Sequence, residues 1–146
     1  MTDFVVVCDS REKLPYNFSD DVEVVSEKLD TGDYSVQGFE NVFAVERKSL
    51  PDFLKSITWE RKRFKSEIVR GDDLLAFVVV IEAPVKDILE WNYERDVHPN
   101  AVMGTIKNWS KYHNVEFVFC GSREDAEKET IHLLEVWYNA YQSLYE

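Results

Sequence analysis

Gly32-Asp33-Tyr34 and, beginning thirteen positions after that aspartate, Glu46-Arg47-Lys48-Ser49-Leu50-Pro51-Asp52 decide how this chain is read. The stretch holds two acids, a lysine two residues past the second acid, and a third acid four residues beyond the lysine. Glu46 and Lys48 fall two apart on a predicted strand, so they share one face and Arg47 points to the other. Asp33 closes a tight turn, Asp30-Thr31-Gly32-Asp33, that opens a short strand over Tyr34–Val36. Ser49-Leu50-Pro51-Asp52 has the chemistry of a helix start, with Ser as N-cap, Pro in the first turn and an acid at the third position.

Each residue has a plain alternative. Asp33 is a good turn residue after Gly32. Glu46 and Lys48 are an ordinary solvated pair on an edge strand. Asp52 is a good helix-capping residue, and that reading is favoured for it. The joint spacing lifts the set above these alternatives. Phosphodiester hydrolysis builds negative charge on the attacking and leaving oxygens, and a divalent cation neutralises it. Mg2+ is a hard ion that takes one or two carboxylates beside waters and phosphate oxygens. A neighbouring lysine orients water or stabilises charge.

Working outward, Phe4–Cys8 is an apolar strand with Asp9-Ser10-Arg11-Glu12 at its end. Val22–Lys28 is a second strand, and Asn41–Arg47 another apolar run, so the opening third is expected to be consecutive, mostly antiparallel strands. Leu50, Phe53, Leu54 and Ile57 follow helical spacing, and a second helix is expected from about Thr58 to Arg70, stopped by Gly71. Leu74–Ile81 is wholly apolar and reads as a central strand covered on both faces. Val85–Asn92 is a short helix, Pro99–Lys111 a longer one, and Val115–Cys120 the last strand. Ser122 and Asp125 then cap a long helix whose apolar face runs through Ala126, Thr130, Leu133, Leu134, Trp137, Tyr141 and Leu144. Helix and strand alternate in the later half, which predicts one layered α/β domain over 1–146.

The formal net charge is −11, which alone argues against a phosphate-binding surface. The charges are not evenly spread. Arg47–Arg70 carries eight basic residues against three acids, a local balance of +5 that leaves −16 on the remainder. A charge run on a helix is commonly a solvated face with i,i+4 pairs. Here the run is positive in an acidic chain and adjoins the acids, so phosphate contact is the stronger reading. Cys8 and Cys120 each end an apolar run and read as buried thiols. No apolar run is long enough to span a membrane, and the N-terminus has no signal-peptide pattern, so the expected compartment is the cytosol, in a prokaryote or in the host of a virus. His98, His113 and His132 lack zinc-ligand spacing.

The D-x12-E-x-K spacing resembles the PD-(D/E)XK nuclease core. The fuller string Val-Cys-Asp-Ser-Arg-Glu (7–12), Thr-Gly-Asp-Tyr (31–34), Glu-Arg-Lys-Ser-Leu-Pro-Asp (46–52), Ser-Ile (56–57) and Arg-Lys-Arg-Phe-Lys-Ser-Glu (61–67) resembles the nuclease domain of the XPF family of structure-specific endonucleases. The resemblance covers essentially the whole chain. It implies a restriction-endonuclease-like three-layer α/β/α fold with a central mixed sheet, and Mg2+- or Mn2+-dependent cleavage of branched DNA. By matching position it implies Asp9, Asp33 and Glu46 as metal ligands, Lys48 as the catalytic lysine and Glu12 in or near the site. Arg11 and Arg47 would orient the acids or touch phosphate, Asp52 would support them, and Arg61 and Arg63, with Lys65 on the same helix, would contact the DNA backbone. Cys8 stands at a usually apolar position, and no helix-hairpin-helix module follows, which bears on branch specificity. Trp137, Tyr138, Tyr141 and Tyr145 read as core residues, or as a homodimer or heterodimer face, since the family dimerises through this domain.

The expected function is hydrolysis of branched or flap DNA in repair, recombination or replication, with water activated at the metal near Lys48. One alternative is an inactive module of the same fold that binds DNA or supports a catalytic partner. Another is a stand-alone nuclease acting on ends or single strands.

Overall fold

The fold is taken from a computed structural model that describes residues 2–144. Six strands form one mixed sheet: β1 (Val5–Asp9), β2 (Glu23–Glu27), β3 (Tyr34–Val36), β4 (Phe43–Lys48), β5 (Ala76–Ile81) and β6 (Glu116–Phe119), in the spatial order β2-β1-β3-β4-β5-β6. β3 runs antiparallel to β1 and β4, as expected for the opening third, whereas β2 lies parallel to β1 on the edge. The β4–β5 and β5–β6 pairs are parallel. The wholly apolar β5 is therefore interior but one strand in from the edge, and β3 and β4 hold the middle.

Helices cover both faces. α1 (Leu50–Ile57), α2 (Arg61–Arg70), α3 (Val85–Leu89) and α4 (Pro99–Tyr112) form one layer, and α5 (Arg123–Tyr141) forms the other. The period-2 rule divides the sheet between the two cores. Phe77, Val79 and Ile81 of β5 pack with Phe53, Leu54, Ile68 and Trp109, while Val78 and Val80 pack with Tyr34, Phe43, Ala126 and Leu134. The three layers follow from that division.

Several boundaries differ from the sequence reading. The second helix begins at Arg61 rather than Thr58, because Thr58 terminates α1 and its hydroxyl donates to the Leu54 carbonyl at 2.7 Å. β5 begins at Ala76, since Leu74 is held in a turn by its N–H bond to the Gly71 carbonyl. α5 ends at Tyr141, so Leu144 leaves the apolar stripe and is 67% exposed. Trp137, Tyr138 and Tyr141 pack beside Phe39 and Phe43, and Tyr145 lies outside the described residues. Cys8 and Cys120 are free and buried. Among the described residues no helix is long and apolar enough to cross a membrane.

Candidate nuclease site

The carboxyl ends of β1 and β4 and the start of the antiparallel β3 lie together at one end of the strands. An open cavity of about 850 Å3 sits there, bordered by α1 and α2. Gly32 makes the turn into it. Its φ is +81°, and a Cβ there would stand 2.8 Å from the Ala44 Cβ and 3.1 Å from the Val45 carbonyl oxygen, so only glycine fits. The next residue is thereby fixed against β4. The Asp33 N–H donates to the Val45 carbonyl at 2.8 Å, and its carboxylate Oδ2 accepts from the Arg47 N–H at 2.8 Å.

Glu46 is 5% exposed and within hydrogen-bond reach of Asp33. Burial, with the Arg47 N–H opposing it, and the charges of neighbouring acids push the Asp33 carboxyl up to about 7. Burial and then the charges of Asp33 and Glu67 raise Glu46 well above the usual carboxylate range. Lys48 leaves the same face of β4, with Nζ 3.5 Å from Glu46 and 5.0 Å from the Phe64 ring centroid. Burial pulls its ammonium down, but Glu46, Glu67 and Asp33 more than offset this and raise it. Lys48 is thus a cation at neutral pH.

Asp9 lines the cavity, yet its oxygens are engaged beside it. They accept from Arg11 Nε at 3.0 Å and from the Leu29 N–H at 2.9 Å. Among the described residues no group of three or more His, Cys, Asp or Glu forms a ready-made metal cage. Asp33 and Glu46 are the close pair. That donor set suits Mg2+ or Mn2+, which take few carboxylates and keep water. Two buried acids raised by desolvation and by the charges of neighbouring acids are stabilised by a proton or a cation beside them.

Arg47 points to the opposite face, as the alternation predicts. It binds Glu82 through Nε at 2.8 Å and Nη2 at 3.0 Å, and Nη1 lies 3.5 Å from Glu12. Glu82 also accepts from the Tyr16 hydroxyl at 2.8 Å and from Arg123 at 3.5 Å. Arg11, Glu12 and Asp52 line the cavity, and Asp52 lies in the first turn of α1, where its N–H donates to the Ser49 hydroxyl at 3.3 Å. The helix-start reading of Asp52 therefore holds.

The basic helix divides along its period. Arg63 and Arg70 line the cavity, together with Lys55 from α1. Arg61 turns to α4, where it donates to Thr105 at 3.0 Å and lies over Trp109 at 4.9 Å. Lys65 follows it, with Nζ 5.5 Å from the same ring. Two residues that the sequence reading passed over belong to the site's surroundings. Glu67 reads as one acid diluting a basic stripe, and its i+4 spacing from Arg63 is the signal that puts it on the cavity side. Glu82 follows a strand and carries no sequence signal of its partner.

A six-stranded mixed sheet between helical layers, with acids and a lysine at the strand ends, places the molecule in the α/β class. The family model of the ERCC4 domain matches residues 8–133, and the chain belongs to that family, with the nuclease-domain fold of XPF. XPF from Aeropyrum pernix is similar in structure, with a TM-score of 0.67 and 18% identity over 90% of this chain and 60% of that one. XPF from Aeropyrum pernix in complex with DNA gives 0.69 and 17% over 94% and 66%. The chain thus spans about two thirds or less of the length of these chains. Curated protein sequences give no match.

Proposed function

We propose that this domain is a divalent-metal-dependent endodeoxyribonuclease that hydrolyses phosphodiester bonds in branched or flap DNA. The observation that carries this reading is the Asp33–Glu46 carboxylate pair with Lys48 beside it, open to a cavity edged by Arg63 and Arg70. Asp33 and Glu46 would hold Mg2+ or Mn2+, with Asp9 as a further acid at the same strand edge. The cation supplies Lewis-acid polarisation of a phosphoryl oxygen and neutralises developing charge. Lys48, kept as an ammonium by its acidic neighbours, donates hydrogen bonds to charge appearing on the phosphate or to the attacking water. It does not act as the base. Arg63, Arg70 and Lys55 meet the DNA backbone and set its register. Arg47 braces the strand between the two catalytic side chains through Glu82.

Branch preference and association with a second subunit through the aromatic end of α5 belong to the same proposal, as does action in the cytosol. The test is a panel of flap, splayed-arm, four-way and linear DNA with Mg2+ or Mn2+. Cleavage of a branched member by the wild type, reduced at least about a hundredfold in Asp33→Asn, supports the reading. No cleavage with any divalent metal, alongside retained DNA binding, favours the inactive module instead. Cutting confined to ends or single strands moves the substrate but keeps the chemistry.

A further inference from the structure

Glu67 has no role in the chemistry proposed above, although α2 brings it to the cavity. Phe64 and Ile68 are buried against the sheet and fix the helix's rotation. Glu67 lies three residues past Phe64, on the flank that also carries Arg63 and Arg70 to the cavity. It lines the same cavity as Asp33, Glu46 and Lys48, and its charge adds to the upward push on all three. Three carboxylates from three elements therefore face one ammonium. An acid facing the same cavity as a buried acid opposes folding unless something cationic or protic stands between them.

We propose that Glu67 completes the cation site from the helical layer, accepting hydrogen bonds from the hydration shell of a divalent ion held by Asp33 and Glu46. This inference rests on the metal-dependent reading above. Mg2+ and Mn2+ that take two carboxylates retain waters, and those waters need acceptors of fixed position. Glu67 supplies one from the same helix face that presents Arg63 to the phosphates. Metal occupancy and the placement of the phosphate-gripping helix are thereby coupled. A merely structural role as counterion to Lys48 is the rival account, and it makes opposite predictions for stability.

The experiment is Mn2+ binding to the full chain, by calorimetry and by electron paramagnetic resonance, with thermal unfolding of the metal-free protein in parallel. Glu67→Ala and Glu67→Gln are compared with Asp33→Asn and with Glu60→Gln. Glu60→Gln removes the same charge from the residue preceding the same helix, and Glu60 lines the same cavity and pairs with Arg63 at 3.6 Å. The expected result is a loss of Mn2+ affinity of about 10- to 100-fold in Glu67→Ala. Glu60→Gln should stay within about twofold, as for an exposed pair. Glu67→Gln should raise the melting temperature of the metal-free protein, because a repelling charge is gone. Mn2+ affinity in Glu67→Ala no weaker than in Glu60→Gln, or a lowered melting temperature in Glu67→Gln, overturns the inference. If the wild type binds Mn2+ and Asp33→Asn abolishes it while Glu67→Ala does not matter, only this inference falls. A wild type that binds no Mn2+ overturns the metal-dependent reading with it.

Discussion

Asp33 and Glu46 hold protons more tightly than free carboxylic acids do, because both are buried and neighbouring acids, Glu12 and Glu67 for Asp33 and Asp33 and Glu67 for Glu46, oppose their charge. An acid raised in the folded state contributes stability that is complete below its ordinary pKa, near 4, and is lost as pH rises through the folded value, about 7 for Asp33. The melting temperature of wild type relative to Asp33→Asn should therefore fall between about pH 4 and pH 7 in chelator, and Mg2+ should recover it at pH 8. A difference that is flat or rises with pH contradicts the assignment. Gly32 is the other residue on which the site turns. Gly32→Ala forces a Cβ against β4 at a φ of +81°, so a loss of about 1–3 kcal/mol in denaturant unfolding is expected, together with a displaced Asp33 and reduced cleavage. An alanine variant as stable and active as wild type speaks against that placement. Gly32, Asp33 and Glu46 were legible as sequence, because a Gly-Asp turn and an E-x-K strand carry local chemistry. Glu82 was not, since its partners Tyr16, Arg47 and Arg123 are 66, 35 and 41 residues away.

At the scale of elements, α2 shows why a charge count falls short of a surface. The stripe from Arg61 to Arg70 reads as one basic face, yet 3.6 residues per turn divide it. Arg61 and Lys65 lie against Trp109 of α4, and Arg63, Glu67 and Arg70 turn to the cavity. Arg63→Ala and Arg70→Ala should each weaken DNA binding across sequences and lower the salt slope by about one unit. Arg61→Ala should cost stability through its lost contacts with Thr105 and Trp109, with little change in that slope. A fluorescence-anisotropy salt titration separates the two, and a larger slope change for Arg61 would reverse the assignment. The segment before β2 is tied down differently. Tyr16 stacks on Tyr34 at 5.2 Å and donates to Glu82, which the buried Arg47 grips with two bonds. Glu82→Ala leaves that guanidinium without its main partner, and a loss of about 3–5 kcal/mol in chemical unfolding is expected. A loss below about 1 kcal/mol would mean that Arg47 finds Glu12 instead.

For the whole molecule, a layered α/β domain was readable because apolar strands and helices alternate after residue 50, the three-layer form came from the family resemblance, and the structure adds the order of the strands. The parallel placement of β2 on the sheet edge was hidden, since Val24 is 43% exposed and its pattern does not distinguish pairing direction. An acidic chain of net charge −11 places its exposed cavity-lining cations, Lys55, Arg63 and Arg70 among them, beside its carboxylate pair. Such a surface would direct phosphate to one edge of the sheet and repel it elsewhere. We propose that DNA is hydrolysed at this edge with a divalent cation. The most direct measurement is the single-turnover cleavage rate of a branched duplex in Mg2+ and in chelator, for the wild type, Asp33→Asn and Lys48→Ala. Metal-dependent cutting by the wild type, lowered at least about a hundredfold in both variants, is the predicted result. Equal rates in chelator, or variants that cut as fast as the wild type, would contradict it.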